Sequence, residues 1–133
     1  ALSSSSAASD VYKRQFIGRS ALVEHSVVTQ GCEVEGTVMN SVLSHGVQIE
    51  EGAEVHYSVL MPGVVVKKGA VVRYAILGEN SVVDADAKVG GDPESCDPET
   101  WGITVLGPGV HIAEGETVAP KTMLNSEHKE VAR

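Results

Sequence analysis

Five histidines, His25, His45, His56, His111 and His128, are the side chains of this chain that could serve as general bases or metal ligands near neutral pH. A zinc centre needs several imidazoles or thiolates converging on one point with an open position for water. The spacings oppose this: on the repeat described below, His25 shares a column with Asn40, Tyr57 and Tyr74, whereas His56 shares one with Met39 and Arg73. The imidazoles therefore occupy different columns or different turns, and neither a catalytic residue nor a metal ligand is assigned. Ser26, Ser41 and Ser58 form a column too, but a serine that recurs from rung to rung is a turn or ladder residue and not a nucleophile with its base and orienter. Gly107-Pro108-Gly109 is too short for a phosphate-binding loop, and its proline removes a donor. Asp92, Glu94, Asp97 and Glu99 could hold a hard cation, yet their spacing is not that of a calcium loop, and a solvated acidic loop is the simpler reading. Lys67, Lys68 and Arg73 are the remaining constellation. They place three positive charges on adjacent segments of an acidic chain and are the candidate effector-binding residues, able to hold a phosphorylated metabolite by charge-assisted hydrogen bonds.

The element that must position these groups returns every 17 residues: Val38-Met-Asn-Ser-Val-Leu43, Val55-His-Tyr-Ser-Val-Leu60 and Val72-Arg-Tyr-Ala-Ile-Leu77, with Val23-Glu-His-Ser-Val-Val28 as an earlier copy. Self-similarity of this kind marks a solenoid, in which a single repeat cannot bury its own apolar side. Inside the repeat an aliphatic residue recurs at Leu43, Ile49, Val55, Leu60, Val66, Val72, Leu77, Val83 and Val89, in steps of six, six and five. Three short segments thus make one turn, the pattern of a hexapeptide β-helix. A second inward position is expected four residues after each, at Val47, Ala53, Val59, Val64, Ala70, Ile76, Ser81 and Ala87. Gly46, Gly52, Gly63 and Gly69 fall where the chain turns a corner and positive φ is useful. Helix is a poor rival, because valine and glycine dominate and no apolar face repeats at 3.6 residues.

The predicted fold is all-β, a parallel β-helix of about five coils. Residues 1–15, Ser-rich and without the pattern, read as a non-native or disordered leader. Residues 16–89 form coils, 90–102 an inserted loop with two Asp-Pro-Glu triplets, 103–124 the final coil and 125–133 a tail. Trp101 is expected to pack the loop back against the stack. Two irregularities predict local departures: the step from Val23 to Val38 is 15 residues, which suggests a bulge near Val34–Thr37, and Glu116 takes a normally small position, which suggests fraying of the last turn. An uncapped first rung around Ile17 and Val23 would expose strand edges and an apolar cross-section, so an upstream domain is expected to cover it, and the chain alone is expected to self-associate.

A net charge of −8 and a pI near 5.0 argue against nucleic acid as a partner, since affinity for phosphate backbones comes from clustered Lys and Arg. No stretch approaches the roughly 20 apolar residues of a membrane span. A cytoplasmic location is expected, with Cys32 among the rungs and Cys96 in the loop as unpaired thiols.

The rungs also carry a resemblance. Ser41-Val-Leu-Ser-His-Gly-Val-Gln-Ile49, Tyr57-Ser-Val-Leu-Met-Pro-Gly-Val-Val-Val66, Tyr74-Ala-Ile-Leu77 and Trp101-Gly-Ile-Thr-Val-Leu-Gly107 resemble the C-terminal domain of bacterial glucose-1-phosphate adenylyltransferase, also called ADP-glucose pyrophosphorylase, over about Phe16 to Arg133. The resemblance implies a left-handed β-helix, against the usual right-handed crossover. It also implies a parent enzyme that makes ADP-glucose and pyrophosphate from ATP and glucose 1-phosphate for glycogen synthesis. ATP and Mg²⁺ would be held by a Gly-rich loop in a separate N-terminal domain, and no position here matches those catalytic motifs. The implied roles are packing against that domain, building a homo- or heterotetramer, and allosteric control by sugar phosphates or adenine nucleotides. Lys68 and Arg73 fall where relatives carry basic residues, while Tyr74 and Glu79 stand where some have arginine. A hexapeptide acyltransferase and a non-catalytic β-helix scaffold are the alternatives.

Overall fold

The computed structural model describes residues 16–95 and 97–125; the predicted leader, Cys96, His128 and nearly all of the tail lie outside the described residues. Eighteen strands of two or three residues stack into three parallel six-stranded sheets. One face holds β1 (Phe16–Ile17), β4 (Glu33–Val34), β7 (Gln48–Ile49), β10 (Val65–Val66), β13 (Val82–Val83) and β16 (His111–Ile112). A second holds β2 (Leu22–Glu24), β5 (Thr37–Met39), β8 (Glu54–His56), β11 (Val71–Arg73), β14 (Lys88–Gly90) and β17 (Thr117–Val118). The third holds β3 (Val27–Val28), β6 (Val42–Leu43), β9 (Val59–Leu60), β12 (Ala75–Leu77), β15 (Thr104–Leu106) and β18 (Met123–Leu124). These are six turns and not five, because the shortened coil is complete: its missing residues come out of a corner, and no strand is lost.

Pairing in register puts like side chains in columns. The first face sends Val34, Ile49, Val66, Val83 and Ile112 inward, the second Val38, Val55, Val72, Val89 and Val118, the third Leu43, Leu60, Leu77, Leu106 and Leu124, all buried. Each such residue contributes roughly 1.5–3 kcal/mol of burial, but only against a neighbouring turn. The second inward position holds at Val47, Ala53, Val64, Ala70, Ser81 and Ala87, and fails at Val59 and Ile76. Alternation along β9 and β12 decides this: with Leu60 and Leu77 inward, their predecessors must point out. The inward small residues of the third face are instead Ser41, Ser58, Ala75 and Thr104.

Buried hydroxyls need partners, and the serine column supplies its own. Ser26 Oγ donates to the Glu24 carbonyl and accepts from the Ser41 N–H; Ser41 Oγ donates to Met39 O and accepts from the Ser58 N–H; Ser58 Oγ donates to His56 O and accepts from the Ala75 N–H, all at 2.8–3.2 Å. The predicted ladder role of these serines is thereby given its geometry.

Corners explain the punctuation. Gly46, Gly52, Gly63 and Gly69 have φ of 69–83°, the left-handed conformation predicted for them. The 15-residue step resolves into a corner of two residues, Glu35 and Gly36, between β4 and β5, where related corners take four. No bulge forms; Gly36 lies so close to the next coil that a Cβ would stand 2.5 Å from the Ala53 carbonyl oxygen. The last turn is paired on all three faces and not frayed. Glu116 turns its carboxylate back across its own corner to accept the Ala113 N–H at 2.9 Å, so the small position is left empty of its bulk.

Candidate functional site

Lys67 and Lys68 occupy the corner between β10 and β11, and Arg73 ends β11. The three cations therefore flank one rung of the second face, about 10 Å of strand apart, instead of meeting at a point. The Lys68 backbone N–H donates to Glu50 Oε1 at 3.0 Å. Arg73 Nη2 lies 3.7 Å from Glu54 Oε1, which also bonds His56 Nε2 at 3.0 Å. The register fixes this trio: Val71 pairs Glu54 and Arg73 pairs His56, so a carboxylate, an imidazole and a guanidinium share the outer surface of two adjacent coils. The columns read from the sequence are the observed ones, including Met39 opposite His56.

The inserted loop leaves the stack after β14 and returns at β15, beside an aromatic cluster. Tyr57 and Tyr74 stack with centroids 4.8 Å apart and planes 5° from parallel, and Trp101 meets Tyr74 edge-on at 5.5 Å. Trp101 Nε1 donates to the Gly91 carbonyl at 2.7 Å, which ties the two ends of the loop together, and its edge contact with Tyr74 packs the loop back against the stack as expected. Both tyrosines, like His25 and Asn40 in the same column, have φ near 50°, a conformation uncommon for bulky residues. Stacking and a shared corner geometry hold them there. Partial burial, then the negative charges of Asp92 and Glu94 and the neighbouring Tyr57, push the Tyr74 phenol above its ordinary value of 10.0.

The acidic loop engages itself: Asp92 Oδ1 accepts from the Glu94 N–H and Asp97 Oδ1 from the Glu99 N–H. Among the described residues no three His, Cys, Asp or Glu side chains are grouped to hold a metal ion. Cys32 is buried, with its thiol donating to the Ser44 carbonyl. His25 and His45 are exposed, whereas His111 Nε2 sits 3.1 Å from Asp84 Oδ2. The Ala85 N–H and then His111 hold the Asp84 carboxyl below its ordinary value of 3.8. Sequence reasoning missed this pair, because the inserted loop separates by 27 positions two residues that the sheet brings to adjacent coils. It also missed the aromatic cluster, although Tyr57 and Tyr74 stand one period apart.

A stack of short parallel strands with glycine corners and no α-helix among the described residues is what a hexapeptide repeat builds. The pattern described as "GlmU-like, C-terminal hexapeptide" matches residues 8–112. The chain belongs to this GlmU-like C-terminal hexapeptide family. The hexapeptide family's left-handed β-helix is the fold implied by the resemblance noted in the sequence. Within the range of known relatives, the chain is 33% identical over 110 residues to glucose-1-phosphate adenylyltransferases from two strains of Desulfitobacterium hafniense. The alignment covers 83% of this chain and 27% of those proteins, so the chain spans about a quarter of their length. Among solved structures, a perosamine N-acetyltransferase from Caulobacter crescentus, crystallised with CoA and GDP-perosamine, superposes with a TM-score of 0.60 at 15% identity, over 90% of this chain and 54% of that one. The acetyltransferase domain of PglB from Neisseria gonorrhoeae gives a TM-score of 0.53 at 19% identity, over 93% and 61%. At such identities these likenesses speak for the hexapeptide fold alone.

Proposed function

We propose that this chain is the C-terminal subunit-contact and allosteric domain of a cytoplasmic glucose-1-phosphate adenylyltransferase of glycogen synthesis, and that it performs no chemistry by itself. The parent reaction joins ATP to glucose 1-phosphate, giving ADP-glucose and pyrophosphate, with ATP and Mg²⁺ bound by a separate N-terminal catalytic domain. The observation that carries this reading is the 33% identity over 110 residues, 83% of this chain, with enzymes of that activity. The catalytic domain and the other subunits of a homo- or heterotetramer are the partners, and a sugar phosphate or an adenine nucleotide is the effector.

Lys67, Lys68 and Arg73 supply the cationic side of the effector contact in this reading. Arg73 is free to change partners: its bond to Glu54 is long and half exposed, and such pairs are worth about 0–1 kcal/mol, less than a charge-assisted bond to phosphate. The test is ADP-glucose synthesis by the full-length parent with all three residues reversed to Glu, measured with and without sugar phosphates and adenine nucleotides. Loss of at least about tenfold in effector affinity is expected, equivalent to about 1.4 kcal/mol; an unchanged response refutes the assignment. A coding frame upstream of the Phe16 codon that specifies a Gly-rich nucleotide loop supports the parent enzyme, and a different upstream domain refutes it.

A hexapeptide acyltransferase is the second reading. The exposed His111–Asp84 pair favours it, since an imidazole oriented by a carboxylate on a rung edge is the arrangement a general base requires. Calorimetric titration with acetyl-CoA separates the two readings.

A further inference from the structure

The corner from the second face to the third carries one column of residues, His25, Asn40, Tyr57 and Tyr74, that all take φ of 49–52°. One backbone bond repeats along it: the N–H groups of Asn40, Tyr57 and Tyr74 donate to the carbonyls of Glu24, Met39 and His56. Successive members therefore stand one rung, about 4.8 Å, apart. The Tyr57 and Tyr74 rings follow that pitch, with centroids 4.8 Å apart and planes 5° from parallel, and Trp101 closes the far end edge-on against Tyr74. At the near end the series is interrupted. Asn40 stops at its amide where a tyrosine would extend a ring, so the second ring face of Tyr57 has no aromatic partner among the described residues. His25 resumes the column two rungs, about 9.6 Å, from Tyr57. Tyr57 is 52% exposed and His25 is exposed, and the side chains of His25 and Asn40 hydrogen-bond no other described residue. A left-handed conformation is costly for a side chain as large as Tyr57, whose ring lies outside the core; strain kept at such a place points to a function beyond packing.

We propose that the gap over Asn40 is a nucleotide-binding site, in which an adenine ring enters the column between Tyr57 and His25 and its phosphate meets His56 and Arg73. A planar base at the height of Asn40 lies one rung from each neighbour, within the roughly 4.5–7 Å between centroids of offset-stacked rings. The aromatic face accepts any base, and the asparagine selects among them. Its amide donates and accepts side by side, the complement of adenine N7 and N6, whereas guanine offers two acceptors along that edge. The residues that precede the column on the second face set the phosphate end. Met39, beside the base, is uncharged, and the register places His56 and then Arg73 above it. Arg73 leans back toward the coil of His56: its Nη2 lies 3.7 Å from Glu54 Oε1, and His56 Nε2 lies 3.0 Å from the same oxygen. Glu54 thus gathers two donors at one point, and a phosphate, with more charge and three acceptor oxygens, takes its place there. The remaining carboxylates lie to either side. Glu24 pairs with Met39 from the coil below, and Asp92 and Glu94 act on Tyr74, two rungs from the gap, so the phosphate is drawn toward Arg73 and away from both ends. As the seat of a nucleotide effector the site rests on the reading above; as a binding site it rests on the column alone.

The test is calorimetric titration of the 133-residue chain with AMP, expected to give a dissociation constant of about 0.1–1 mM, the range of a small ligand on an open surface. Proton NMR of the same mixture should show the adenine H2 and H8 signals moved upfield by the Tyr57 ring, a signature that binding through charge alone does not produce. Adenosine, inorganic phosphate and GMP should each bind at least about fivefold more weakly than AMP. Tyr57→Ala should weaken AMP by about tenfold or more, and Tyr57→Phe, which keeps the ring, should leave it unchanged. Asn40→Gly suits the positive φ and deletes the amide, so it should bring AMP and GMP to equal affinity. Arg73→Gln should remove most of the preference for AMP over adenosine. Circular dichroism verifies that each variant is folded; if Tyr57→Ala is not, the Asn40→Gly comparison and the upfield shifts in the wild type decide. No binding at about 10 mM AMP, binding without upfield shifts, or a folded Tyr57→Ala protein that binds like the wild type overturns the site. If AMP does not bind while the full-length parent makes ADP-glucose, only the site has failed and the adenylyltransferase reading stands. If AMP binds through Tyr57 and the upstream frame encodes a different domain, the site stands and that reading falls.

Discussion

Val72 is the residue on which the inward assignment can be tested most severely. It lies at 0% exposure in the fourth coil, between Val55 and Val89 in the ladder of the second face, and its neighbour Val71 points outward. Replacing Val72 with Asp removes roughly 1.5 kcal/mol of valine burial and demands that a carboxyl group be held dry. At pH 7 the buried acid must either stay charged or protonate; raising its pKa from about 3.9 to 7 costs about 4 kcal/mol, at 1.36 kcal/mol per unit. The sum, about 6 kcal/mol, equals the whole stability of many small domains. A solenoid transmits stability only between neighbours, so the two coils beyond the lesion, too few to stand alone, should lose their cooperative transition first. Val71→Asp places the same charge in water and should cost no more than about 1 kcal/mol. The assay is urea unfolding followed by far-ultraviolet circular dichroism at pH 7 and at pH 4.5. The folded-state pKa of Asp at position 72 is raised, so the deficit should shrink as the pH falls and the buried acid becomes neutral. A Val72→Asp protein that unfolds like the wild type, or a Val71→Asp protein that is equally damaged, refutes the reasoning.

Three further measurements bear on the corners and the ionisable groups. Gly36→Ala should cost about 3 kcal/mol, because its Cβ would meet the carbonyl oxygens of Ala53 and Glu50 at 2.5 and 2.7 Å. Gly46→Ala, at φ 69° with no atom within 4 Å of the new Cβ, should cost only about 1 kcal/mol of backbone strain; the opposite order in chemical denaturation contradicts the close approach of the short corner. Asp84 is held below 3.8, so its contribution to stability is complete above that pH and is lost as the pH falls through its lowered value. Asp84→Asn should therefore remove a small, constant increment of stability above about pH 4 and flatten part of the acid limb below it. The Tyr74 phenol, raised above 10.0, favours the folded state fully below that pH and loses the benefit as the pH climbs through the raised value. Ultraviolet titration should find the Tyr74 phenol late, moved part of the way back by Asp92→Asn/Glu94→Gln; since burial is the larger cause, a complete return would contradict it.

The sequence by itself determined the periodic part of this protein. A spacing of 17 residues in steps of six, six and five fixes how many side chains separate one inward aliphatic from the next, and hence the three faces, the glycine corners and the columns that align His56 with Met39 and Arg73. What the tertiary structure decided is everything that depends on how a corner closes. A corner of two residues before β9 and of one before β12 leaves Ser58 and Ala75 inside and turns Val59 and Ile76 out, which made a second interior column into an apolar outer face. Glu35 and Gly36 absorb a deletion in a corner, so a segment that looked like a bulge is an intact turn and the stack counts six. His111 meets Asp84 only because the chain between β14 and β15 leaves the stack and re-enters in register. Periodicity constrains distance along the chain; the direction in which a side chain points, and which neighbour it finds across an insertion, are set by backbone closure between coils, and that is a property of the folded prism alone.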